Sequence, residues 1–140
     1  PEQTEITPDD EVFIELRDVR QYVVENDVLG LLCVIEGMAV NNYDTPKELI
    51  KVEVDLLDAA GQAVASKSML IGNTVTLFQL KNMNAEELEA ALTNPVNILT
   101  QNTNVSPGGE VPFEVVFVNP PDTVTEFYLR VVDFKDPPEE

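Results

Sequence analysis

Residues 31–58 read LLCVIEGMAV NNYDTPKEL IKVEVDLLD, and with the turn AAG (59–61) and the run QAVASKSML (62–70) they decide the fold. In the third segment Ile50, Val52, Val54 and Leu56 fall on one pleat face, and Lys51, Glu53 and Asp55 on the other. That is the period of a strand with one buried side. Residues 29–40 are apolar on both faces apart from Glu36 and two glycines, which predicts a central strand covered on both sides. The polar run NNYDTPKE between them is a turn. Asp58-Ala59-Ala60-Gly61 is another: Asp can bond the backbone ahead of it, and Gly accepts the positive φ that closes a type I turn with a bulge. This is the order of an antiparallel β-sandwich.

The pattern extends in both directions. Val12, Ile14 and Leu16 alternate with Phe13, Glu15 and Arg17, and a continuation over 21–25 follows a bend at Asp18. Residues 63–71 return as the hairpin partner, and the β-branched and aromatic run 74–80 predicts a further strand. One helix is expected over 85–93. Asn84 caps it, Glu87 completes a capping box, Met83 staples onto Leu88, and Asn94-Pro95 stops it. Its stripe of Leu88, Ala91 and Leu92 is narrow, so it bridges strands rather than forming a core layer. Phe113, Val115 and Phe117 alternate against Glu114, Val116 and Val118, and residues 126–133 form the last strand. The sum is an all-β, immunoglobulin-like two-sheet antiparallel sandwich of about seven strands with one short helix.

The organisation is simple. Residues 1–11 (PEQTEITPDDE) hold five acids and two prolines and form a flexible acidic lead-in. Residues 12–135 are one β-sandwich domain, and 136–140 (DPPEE) are a polar tail. A chain of 140 residues is long enough to enclose its own core. It opens at Pro1 rather than Met, and is expected to be a piece of a longer protein.

Composition removes much chemistry. With 26 acids against 8 bases the net charge is -18, a field that repels phosphate backbones and anionic headgroups, so no nucleic-acid partner is expected. There is no histidine, hence no imidazole base or imidazole metal cage. No P-loop or dinucleotide fingerprint occurs, and no cofactor is expected. The single cysteine, Cys33, lies in an apolar run without a nearby base and reads as a small core side chain. Acids are plentiful, yet nothing in the sequence singles out two carboxylates held across a cleft. Neither a catalytic residue nor an enzyme is therefore expected. Weak calcium candidates remain in Asn41, Asn42 and Asp44, with Asp58 at the second turn, although neither site has EF-hand spacing and both residue types are ordinary in turns. Exposed strand edges are the other functional surface, unless acids and prolines block them.

The stretch 37–64 (GMAVNNYDTPKELIKVEVDLLDAAGQAV) resembles small bacterial sandwich domains known as FxLYD-like. Gly37, the Asn41-Asn42 turn, 58–61, Gly72-Asn73, EELEAAL (86–92) and PGGEVPFEVVFVNPP (107–121) together resemble an uncharacterised bacterial domain family. That family follows an N-terminal zinc-ribbon-like finger and a single membrane span. The resemblance covers nearly all of 12–134 and implies topology rather than activity, with no catalytic or ligand residues to carry over. It also implies that many members carry Met at the position of Glu114, so the fold does not depend on that residue. The expectation is a non-catalytic, extracytoplasmic (periplasmic-side) domain of a single-span bacterial membrane protein. It would meet the membrane only through a span absent from this chain. It would act in protein–protein contact or scaffolding, binding a partner through a sheet edge or the loop of Asn41, Asn42, Tyr43 and Asp44. A calcium- or small-ligand-binding module is the alternative, and an acid/base hydrolase would need a deep cleft with two buried carboxylates.

Overall fold

A computed structural model of the chain describes residues 3–5 and 11–138. A three-residue strand, β1 (Gln3–Glu5), precedes six longer ones: β2 (Ile14–Asn26), β3 (Gly30–Asn41), β4 (Glu48–Leu57), β5 (Ala63–Leu70), β6 (Glu110–Val118) and β7 (Glu126–Lys135). The six form two three-stranded antiparallel sheets, β2-β3-β6 and β7-β4-β5, and β1 adds to the outer edge of β7 with Gln3 opposite Lys135. The body is thus an all-β sandwich of six long strands, not seven. Residues 3–5 of the expected lead-in are paired, and most of the remainder lies outside the described residues. Residues 136–138 carry no regular structure, and 139–140 lie outside the described residues. Asp136 pairs with Lys47.

The central strand falls where the sequence places it. β3 has β2 on one side and β6 on the other. One of its faces, with Cys33, Ile35 and Ala39, is buried toward the second sheet, where Ile50, Val52, Val54 and Leu56 of β4 are equally buried. Burial of each such side chain contributes about 1.5–3 kcal/mol. Gly37 is required by close approach: a Cβ there would stand 2.8 Å from the Phe113 ring and 2.9 Å from the Arg17 carbonyl. The bend at Asp18 is a β-bulge, with the β2–β3 register shifting between Arg17 and Arg20 and Asp18 at φ 55°. At the β4–β5 turn, Gly61 takes φ 79°, and Asp58 Oδ1 accepts the N–H groups of Ala60 and Gln62.

The segment expected as a seventh strand is helical instead. Residues 74–76 are an extended strap, and α1 (Leu77–Asn82) follows. β-Branching in TVTLF argues for a strand, but a capping box decides otherwise. Thr76 Oγ1 accepts the Gln79 N–H, and Gln79 Oε1 accepts the Thr76 N–H. α2 (Ala85–Leu92) begins at the expected box of Asn84 and Glu87. The Asn94-Pro95 pair ends α2 but also starts α3 (Pro95–Gln101), with Asn94 as cap and Pro at the first helical position. The helices are more than a bridge, because Leu80, Leu88 and Leu92 are buried in the core. α1 and α2, which carry these leucines, lie on the outer face of β2-β3-β6, where Val24, Leu32, Val34 and Val116 are also buried, whereas α3 buries no side chain.

The solvent-facing row of β4 is not simply solvating acid. Arg130 of β7 pairs with both Glu53 and Asp55, and Ser66 donates to Asp55 at 2.6 Å.

Candidate functional site

Two strands read as apolar each carry one acid at the middle. Glu36 of β3 and Glu114 of β6 are cross-strand partners on the outer face, where helix cover gives way to the strap. They line an open groove of about 400 Å³ with Asp18 and Arg20 from the β2 bulge and Thr74 and Val75 from the strap. Met38 and Pro112 give it an apolar floor.

The two carboxyls have opposite environments. Glu36 is partly buried, which opposes its charge, but Arg20 ion-pairs with it and the Tyr22 hydroxyl donates to it at 2.7 Å. Those partners prevail and hold its pKa below the usual carboxylate range. Tyr22's burial, and then the same bond, raise the phenol's pKa. Glu114 is 2% exposed. Its Oε1 accepts the Val75 N–H at 3.3 Å, and its buried Oε2 has no hydrogen-bond partner. Burial pushes its pKa up to about 7, the Val75 N–H opposing and the Glu36 charge adding. A carboxylate already saturated by Arg20 and Tyr22 is a poor general base. Glu36 and Glu114 therefore form a binding surface with one unsatisfied acid more readily than an acid/base pair.

The sequence candidates lie elsewhere. Asn41 is fully buried: its Nδ2 donates to the carbonyls of Thr45 and Val105, and its Oδ1 accepts the Tyr43 N–H. It is a loop clamp, with its polar atoms already engaged. Asn42 is exposed and donates to Glu15, and Asp44 is exposed. Tyr43 is half-buried in an aromatic cluster, 5.2 Å edge-on from Phe13 and 5.4 Å from Phe134, with Lys47 Nζ 4.6 Å from its ring. The Asn41–Asp44 loop is therefore pinned at two of its four residues. Asp58 stands beyond the other end of β4, about 30 Å away by strand rise, with its Oδ1 already accepting two turn N–H groups. Among the described residues no three His, Cys, Asp or Glu side chains form a metal-binding group. Cys33 is buried, with Gln21 Nε2 3.4 Å from its sulfur.

Sequence reasoning missed Glu114 by placing it on an outward row. The signal was present. Val116 and Val118 share its face, and a lone acid in such a row is either solvent-facing or buried for a reason. Only the strap packed over it, whose residues 74–76 the sequence assigns to a strand, separates the two.

The model of a family described as "Protein of unknown function (DUF3426)" matches residues 14–131. No curated protein and no solved structure matches the chain.

Proposed function

The chain belongs to the DUF3426 family, whose function is unknown, and on that premise we propose that this immunoglobulin-like sandwich is a non-catalytic protein-binding module. Its partner is an extended protein segment that adds to the edge of β2. The observation carrying this reading is the edge itself. β2 runs for thirteen residues with β3 on one side and, among the described residues, no strand on the other. Unpaired amides and carbonyls along such an edge accept a partner strand, and the exposed Val19 and Val23 offer apolar contact beside it. The edges of β5 and β6 are less available. Lys67 Nζ of β5 donates to the Val116 carbonyl of β6, and Gly72 N–H donates to the Pro112 carbonyl.

The setting is the extracytoplasmic side of a bacterial single-span protein, a reading supported by the sequence resemblance to domains that follow a finger and a span. No helix among the described residues is long and apolar enough to cross a membrane. A phosphatase reporter fused after this domain in the full-length protein is expected to be active, and an inactive fusion rejects that setting. For the edge, hydrogen exchange is the test. A partner captured from the source envelope should protect the amides of 15–25, and protection confined to other strands overturns the proposal. A second reading, a small-ligand module, is favoured by the buried Glu114 carboxyl.

A further inference from the structure

The groove between the β2 bulge and the strap has a feature that strand addition does not use. Glu114 is nearly completely buried in its wall, with Oε2 unpartnered, whereas most buried polar atoms in folded proteins are hydrogen-bonded. Its other oxygen is held only by the 3.3 Å bond from Val75 N–H, just beyond the usual range of about 2.7–3.2 Å, so one long bond is all the hydrogen bonding that a turn toward the groove would break. Three acids, Asp18, Glu36 and Glu114, face one base, Arg20, and the base is spent on Glu36. The Tyr22 hydroxyl is spent on Glu36 as well. What remains is one desolvated carboxyl, one exposed aspartate and an apolar floor of Met38 and Pro112.

We propose that this groove binds an aliphatic primary ammonium group, with Glu114 as its anion and the alkyl chain lying on Met38 and Pro112. The volume, about 400 Å³, is at the small end for ligand sites and fits one short chain rather than a folded partner. An ammonium supplies three donors to a carboxylate and completes the orphaned oxygen. A metal ion would need several oxygens free at once, and Glu36 has none to spare. The shared chemistry has two sources, a free alkylamine or the lysine side chain of a protein. The groove shares Asp18 and Arg20 with β2, but its anion, Glu114, lies on β6, two strands away from the β2 edge, so amine binding and strand addition are read separately.

Calorimetric titration of the chain with n-butylamine and with Nα-acetyl-lysine N-methylamide tests it, run at pH 7 in phosphate and in MOPS. Binding is expected with at least one of the two, with net proton release, because pairing with the ammonium draws the buried Glu114 carboxyl toward its ionised form. Tighter binding of the blocked lysine assigns a protein source, and tighter binding of butylamine a free amine. Glu114→Gln should weaken binding about tenfold or more. Met38→Trp, which fills the groove and leaves Glu114 in place, should also abolish it. No binding of either amine by the unmodified chain overturns the proposal, and so does unchanged affinity in Glu114→Gln.

Discussion

Burying a carboxyl with too few donors favours its neutral form, and Glu114, with one long bond from Val75 N–H and the Glu36 charge opposite, carries that cost. Its pKa is about 7 folded, against 4.5 for the free side chain. Below pH 4.5 both states are protonated and its contribution to stability is at its best. Between 4.5 and 7 the unfolded chain gives up its proton first, so stability falls as pH rises, by at most ~3–4 kcal/mol at 1.36 kcal/mol per unit. Glu36 runs the other way: its lowered pKa contributes stability above the free value, lost on acidification. The difference between wild type and Glu114→Gln isolates the first effect, because a Gln oxygen still accepts the Val75 N–H. Urea melts should show the variant more stable by about 1–3 kcal/mol at pH 8, with the gap closing toward pH 4.5. Parallel pH profiles would show that Glu114 titrates normally.

Asparagine does at the level of elements what a turn residue does locally, and this is where the sequence was least transparent. Asn102 caps α3 and is fully buried. Its Oδ1 accepts the Ile50 N–H, and its Nδ2 donates to the carbonyls of Ile50 and Ile71. One side chain thus ties a helix end to β4 and to the exit of β5. Asn26 does likewise, donating to Leu80 and Met83 carbonyls and accepting the N–H groups of Val28 and Leu29. Asn102→Ala removes the side-chain partner of the Ile50 N–H and the Ile71 carbonyl, while the Ile50 carbonyl keeps the Ile71 N–H, and should lower stability by about 2–4 kcal/mol. Asn42→Ala, removing one exposed bond to Glu15, should change it by less than about 0.5 kcal/mol. Equal thermal shifts for the two variants would refute the clamp. The strands were legible because period two and turn chemistry are local signals, as at Ile50–Leu56 and Asp58–Gly61. The capping box at Thr76 and Gln79 was equally local but was outweighed by β-branched neighbours. Clamps such as Asn102 to Ile71, and the groove that gathers Asp18, Glu36, Val75 and Glu114, depend on partners far along the chain, and no local pattern announces them.

For the molecule as a whole, charge outweighs any single contact, and it was visible from composition alone. Pairing every one of 8 bases with an acid would still leave 18 acids unmatched. Among the described residues, Arg130 pairs with Glu53 and Asp55, Arg20 with Glu36, Arg17 with Glu15, Lys47 with Asp136 and Lys67 with Glu89, so five of the 8 bases are already used. Folding brings the remaining carboxylates closer together than they stand in the open chain, so self-repulsion opposes the compact state. The Debye length falls from about 30 Å at 0.01 M salt to about 3 Å at 1 M, which removes this long-range repulsion while weakening only a few surface pairs. Raising sodium chloride from 0.01 to 0.5 M at pH 8 should therefore raise the melting temperature. A gain of about 1 kcal/mol corresponds to roughly 3–5 °C at this size. The increase should be steepest below about 0.15 M, where screening changes most per mole of salt. A midpoint that stays flat or falls over that range would mean that the paired minority outweighs the unpaired majority, and that the acidic surface is held in place by contacts rather than tolerated by the core.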